Sequence, residues 1–65
     1  MNNFPLILKQ LRKKNNFSQQ QLADTLNLDQ SSISYYELGK KEPGIDILIK
    51  IADLFEVSLD ILVGR

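Results

Sequence analysis

The sequence predicts an all-α domain built from five short helices. Three observations carry this prediction: apolar residues recur at helical spacing in successive runs, one helix-start signature occurs three times, and no stretch alternates apolar and polar residues as a half-buried strand does. With 65 residues the chain is expected to form one domain, residues 1–65. A domain of that size buries only about 60% of the surface its unfolded chain exposes, so its stability is modest.

The first helix is expected over about residues 4–14, where Phe4, Ile7, Leu8 and Leu11 recur at helical spacing. Pro5 suits the first turn, and Lys13 and Lys14 lie where the helix dipole favours cations. Asn16 is expected to close this helix, because asparagine tolerates the left-handed conformation of a C-terminal cap. In the repeated start signature an apolar residue precedes a capping residue, and a second apolar residue follows four positions after the cap. The sets are Phe17, Ser18, Leu22; Leu28, Asp29, Ile33; and Val57, Ser58, Leu62. Each reads as a hydrophobic staple around an N-cap, and Ser18 with Gln21 adds a capping box. They place helices at about 19–26, 30–38 and 59–63. Gly39 stops the third helix, and KKEPG is a loop. Ile45, Leu48, Ile49, Ile51, Ala52 and Phe55 make the fourth helix, about 45–55, a broadly apolar central element. Only Asn27, Leu28 and Asp29 separate the second and third helices, so the two must cross steeply as a helix-turn-helix, with Ala23 facing the crossing.

Composition excludes whole classes of chemistry. The chain has no cysteine and no histidine, which removes disulfides, zinc-finger ligation and histidine acid–base work; no metal and no cofactor is expected. There is no glycine-rich phosphate loop and no assembled nucleophile and base, so no enzyme activity is expected. No apolar run approaches the roughly 20 residues of a membrane span, and no secretory signal is read at the start, so the expected location is cytoplasmic, away from membranes. Formal net charge is zero, yet the charges are polarised. Residues 1–41 carry six basic against three acidic side chains, and residues 42–65 carry two against five. Such polarity suits one face turned toward an anion, although ordinary solvated surface also produces it.

The third helix is unusual in its choice of residues. Serine favours caps over helix interiors, yet Ser31, Ser32 and Ser34 fall within one short helix. Advancing about 100° per residue from Ile33 puts Tyr36 and Glu37 on the inward side, while Ser31, Ser34, Tyr35 and Leu38 share the outer one and Gln30 reaches out from the first turn. This outer face is uncharged, mostly short and able to hydrogen-bond. It suits a helix entering the major groove, which is about 12 Å wide: Gln30 can pair with adenine, Ser31 and Ser34 can reach bases or phosphates, and Tyr35 offers a hydroxyl or packs on a thymine methyl. An ordinary solvated helix face has the same description, with the first serines tolerated in the first turn. Lys40 and Lys41 follow directly and can grip flanking phosphates, as can Gln19 at the start of the second helix. Lys9, Lys13 and Lys14 read as contributors to the general field. Glu37, turned inward, needs a partner, and the expected one is Arg12, one turn beyond Leu8 on the inner stripe of the first helix.

These residues resemble a known family over nearly the whole chain. LxxLR in the first helix, SQxxLA opening the second, SxISxYExGKxxP through the third, and LxxIADxFxVSLDxL at the end are similar to the phage repressor and Cro-type helix-turn-helix domain of bacterial regulators. The resemblance implies a five-helix, lambda-repressor-like DNA-binding domain acting in transcription control, usually as a repressor, on palindromic double-stranded operators as a homodimer. In that pattern Gln30, Ser31 and Tyr35 match base-reading positions, Gln19 matches a phosphate-contacting glutamine, and Arg12 with Glu37 matches a buried ion pair. Asn16 stands where the pattern has glycine, and Leu38 where it often has asparagine. Ile47 and Leu54 replace small or polar residues, which suits either core packing or a partner surface.

Two functions from different classes fit these features. One is sequence-specific DNA binding. The other is a protein-interaction module, such as an antitoxin, with a toxin or antirepressor as partner. A dimer surface is expected on the fifth helix and its approach, at Val57, Leu59, Ile61 and Val63, although plain core packing accounts for the same residues.

Overall fold

The computed structural model describes residues 3–64 and contains five helices, with no strand among the described residues. They are α1 (Phe4–Lys14), α2 (Gln19–Leu26), α3 (Gln30–Glu37), α4 (Ile45–Phe55) and α5 (Leu59–Leu62). α3 and α5 stop one residue earlier than the sequence pattern suggests, because Leu38 and Val63 serve as C-caps.

Every helix contributes to one core. Phe4 and Leu8 of α1, Leu22, Ala23 and Leu26 of α2, Ile33 and Tyr36 of α3, Leu48, Ile51 and Ala52 of α4, and Leu62 of α5 are all buried. Edge-to-face aromatic pairs bind distant segments: Phe4 meets Tyr36 at a centroid distance of 6.4 Å, and Phe17 meets Phe55 at 6.0 Å. Helices of 8 residues, such as α2 and α3, are too short to be stable alone in water. Their order therefore comes from this shared packing.

The caps explain how such short pieces join. Ser18 accepts the Gln21 backbone N–H at 3.0 Å while the Gln21 side chain accepts the Ser18 backbone N–H at 2.9 Å, closing the capping box. Ser58 caps α5 in the same way through the Ile61 N–H at 3.1 Å. Asp29 departs from the expected pattern, since its side chain makes no capping bond. Its own carbonyl accepts the Ser32 N–H at 3.0 Å, and that amide is the donor a capping side chain uses. Corners are made by left-handed residues: Asn16, Asn27 and Glu56 at φ of 62°, 61° and 56°, and Gly39 at 73°. At the far end, Gly64 at φ of 81° packs against Asn3, where an added Cβ would lie 2.9 Å from the Asn3 Cβ.

The apolar residues of α4 and α5 divide between core and surface. Ile45 and Ile49 lie outside the core, 60% and 43% exposed, because the apolar face of α4 is wider than the stripe its neighbours cover. Ile47 and Leu54 instead pack against the core as partly buried residues. In the expected dimer surface, Val57 also packs against the core and Val63 is half-buried. Only Leu59 and Ile61 of that set stand exposed, at 37% and 55%.

Ile33→Ala is expected to cost about 2–5 kcal/mol through lost burial and the cavity left behind. That is comparable to the whole stability of roughly 3–10 kcal/mol for a chain this size, so the urea midpoint read by circular dichroism should fall sharply. Glu56→Gly is expected to raise Tm by roughly 4–8 °C, because it removes about 1 kcal/mol of left-handed strain without removing the Glu56 N–H bond to Asp53.

Candidate nucleic-acid interface

The helix-turn-helix is formed by α2 and α3. Asn27 turns the chain in its left-handed conformation, and the Leu28 N–H returns to the Ala23 carbonyl at 2.8 Å. Ala23 is fully buried, and this small side chain lets the two helices approach closely. α3 then packs against both α1 and α2. Ile33 and Tyr36 hold it from behind, leaving Gln30, Ser31 and Tyr35 exposed and Ser34 half-buried on the outer side. No side chain on that outer face carries a charge at neutral pH.

Behind α3 lies a continuous chain of hydrogen bonds. Arg12 donates from Nε to Glu37 Oε2 at 2.6 Å and from Nη2 to Glu37 Oε1 at 3.0 Å, a two-point ion pair. Its Nη1 donates to the Phe17 carbonyl at 2.9 Å, which ties the end of α1 to the start of α2. The side chains of Arg12 and Glu37 are only 10% and 4% exposed. No buried side-chain nitrogen or oxygen among the described residues lacks a partner. The hydrogen bonds to Glu37 raise the Arg12 pKa above its ordinary value; burial lowers it, and the charge of Glu37 adds a further rise. A raised folded pKa means that the stabilising charge is fully present below the unfolded value and is lost only as pH climbs through the folded one. Arg12 therefore stays charged throughout the ordinary pH range.

The chain continues outward. Gln19 Nε2 donates to Glu37 Oε1 at 3.2 Å, and Gln30 Nε2 donates to Gln19 Oε1 at 2.6 Å. Residue chemistry alone assigns Gln19 to phosphate and Gln30 to a base, whereas in the fold the two side chains meet. The available signal was positional: both are the first residue of their helix, on either side of a three-residue turn.

Lys40 and Lys41 follow Gly39, exposed and with no ion pair among the described residues. The Lys40 N–H reaches back to the Tyr35 carbonyl at 2.9 Å, which fixes their path close to the end of α3. Lys9, Lys13 and Lys14 are exposed along α1. A groove between the end of α2 and α4, lined by Thr25, Leu26, Asn27, Lys50, Asp53 and Leu54, contains none of the residues expected to contact DNA.

Arg12→Met is expected to destabilise the domain by about 3–5 kcal/mol, since Glu37 is left buried without its counter-charge. Arg12→Met combined with Glu37→Met should cost less than the two changes summed, in a double-mutant cycle read by thermal unfolding.

Comparison with known proteins agrees with this architecture. A family model described as helix-turn-helix matches residues 8–62. The HTH-type transcriptional regulator AnsR of Bacillus subtilis is 43% identical over 58 residues, which are 89% of this chain and 50% of that protein. The cryptic phage CTXphi transcriptional repressor RstR of Vibrio cholerae is 43% identical over 54 residues, 83% of this chain and 48% of RstR. Among solved structures, a transcriptional regulator from Listeria innocua superposes with a TM-score of 0.90 at 35% identity, over 95% of this chain and 58% of that one. The chain thus spans about half the length of the curated relatives it matches. By its matched residues, its helix order and its α2–α3 crossing, this chain is a member of the helix-turn-helix family, of the phage repressor and Cro type that its sequence resembles.

Proposed function

We propose that this chain binds double-stranded DNA in a sequence-specific way and regulates transcription, as a repressor, with α3 lying in the major groove. The observation that carries this reading is the outer face of α3: hydrogen-bonding and uncharged, on a helix whose opposite side is anchored by a buried ion pair. Gln30, Ser31, Ser34 and Tyr35 meet base edges, since amides and hydroxyls can match the donor and acceptor pattern of the major groove. Lys40 and Lys41 meet phosphates beside the groove, where they position the domain without reading sequence. The names of the relatives support the same reading, since AnsR is called a transcriptional regulator and RstR a phage transcriptional repressor.

Two copies act together on DNA. The described domain measures 27 × 24 × 20 Å, while successive major grooves on one face of a duplex lie about 34 Å apart. One copy cannot fill both grooves with α3, and a two-fold pair can. Leu59 and Ile61, exposed on the last helix, are the side chains of the expected dimer surface that can make the contact between copies. The work of such a regulator lies in the cytoplasm; no helix among the described residues is long and apolar enough to cross a membrane.

Selection from randomised duplexes at low salt is expected to enrich an inverted repeat with half-site centres about ten base pairs apart. Recovery of no common sequence would sink the reading. Replacing Lys40 and Lys41 by alanine should weaken binding on every duplex alike and flatten the dependence of log K on log salt by about one per lysine.

A further inference from the structure

Leu38 caps the end of α3, and at 63% exposure it is the most exposed large apolar side chain among the described residues. One exposed leucine is ordinary on any protein surface; the register of this one is not. Its backbone keeps helical angles, φ of −87° and ψ of −6°, and its N–H donates to the Ser34 carbonyl at 3.0 Å. The side chain therefore follows the helical spacing, one turn beyond Ser34 and Tyr35 and two turns beyond Ser31, on the same outer face. At 1.5 Å per residue the row from Ser31 to Leu38 is about 10 Å long, the height of roughly three stacked base pairs. Immediately afterwards the chain turns away: Gly39 takes a left-handed φ of 73° beside Pro5 of α1, and the Lys40 N–H returns to the Tyr35 carbonyl at 2.9 Å. Leu38 thus stands between the hydrogen-bonding row of α3 and the exposed Lys40 and Lys41.

We infer that Leu38 is a specificity-determining residue whose side chain packs on the C5-methyl of a thymine in the major groove. This assignment rests on the DNA reading proposed above and adds to it an apolar contact beyond the four residues given base edges. Leucine has neither donor nor acceptor in its side chain, so it gains nothing from the pattern that amides and hydroxyls read. Among the groups that base pairs display in that groove, the thymine methyl is the apolar one. Carbon 5 lies on the side of the pyrimidine ring nearest its own strand's backbone, so its methyl borders the phosphates. Leu38 likewise borders the lysines that meet them. A polar residue at this place can bond a phosphate and carries no sequence information; leucine gives up that bond and distinguishes thymine from unmethylated cytosine. 5-Methylcytosine bears the same methyl on the same carbon, so this contact treats it as thymine.

The test uses duplexes bearing the selected inverted repeat, with each thymine in turn replaced by deoxyuridine, which lacks the methyl and keeps the hydrogen-bonding edge. At one thymine per half-site the wild-type chain is expected to lose affinity about fourfold, the worth of one buried methyl group. In Leu38→Ala the same replacement should cost nothing, and Leu38→Met, with an apolar side chain of similar reach, should restore most of the penalty. Both substitutions leave the fold intact, because the side chain is exposed and the bond to Ser34 is made by the backbone. Methylating carbon 5 of a cytosine placed at that position should raise wild-type affinity by a similar factor and leave Leu38→Ala unmoved. No deoxyuridine penalty at any thymine, or one as large in Leu38→Ala as in the wild type, overturns the inference. So does a loss in Leu38→Ala that is equal on thymine and deoxyuridine duplexes, the behaviour of a backbone contact. Both outcomes leave the DNA reading standing, since the selected sequence is still bound. A wild-type chain that selects no sequence overturns the DNA reading itself, and this inference with it.

Discussion

The arrangement of the first three helices depends on one side chain in the interior, the guanidinium of Arg12. It bonds two oxygens of Glu37 on α3 and the carbonyl of Phe17 at the start of α2, so α1, α2 and α3 meet at a single cation. Buried ion pairs of this kind add little net stability, because desolvation consumes much of the attraction. An apolar substitute of similar volume can fill the space equally well. It cannot set the angle between three helices, and it offers no acceptor to Gln19. The ion pair is best understood as a device for orientation, placed in a domain whose stability comes from Phe4, Leu8, Leu22, Ile33, Ile51 and Leu62.

Around that point the molecule divides its tasks by depth. The inner side of α3 packs through Ile33 and Tyr36, and the aromatic contact of Tyr36 with Phe4 ties it to the first turn of α1. One layer out, Glu37 and Gln19 form a polar shell with every buried atom satisfied. Outermost are Gln30, Ser31 and Tyr35, all exposed. Serines are poor choices for the stability of an isolated helix, but α3 is held by its neighbours. Packing from behind makes weak helix formers acceptable in front.

Much of the fold was legible in the sequence because its signals are local. Ser18 and Ser58 cap the helices their staples announced, and Asn16 adopts the left-handed turn expected of it. Asp29 carries the same signature, yet its carbonyl rather than its side chain engages the first turn, a choice between two acceptors that spacing does not encode. Ile45 and Ile49 looked like core because helical spacing tells which residues share a face, not how far neighbouring helices extend over it. Glu56 in a left-handed corner gave no signal, since glutamate is rarely chosen there. In the candidate site, the inward position of Glu37 was reason enough to seek a cation. The Gln19 to Gln30 contact was hidden, because it depends on the crossing angle of α2 and α3, a tertiary quantity.

Gly64 packed beside Asn3 brings the two ends of the described chain together. A polypeptide whose ends are neighbours is topologically close to a ring, and a ring can be opened at another point. The exposed Lys40–Glu42 stretch, between α3 and α4, is the natural place to cut. Circular permutation of residues 3–64 there, with a short tether joining Gly64 to Asn3, keeps the order of helices in space while α4 becomes the first of the five to be made.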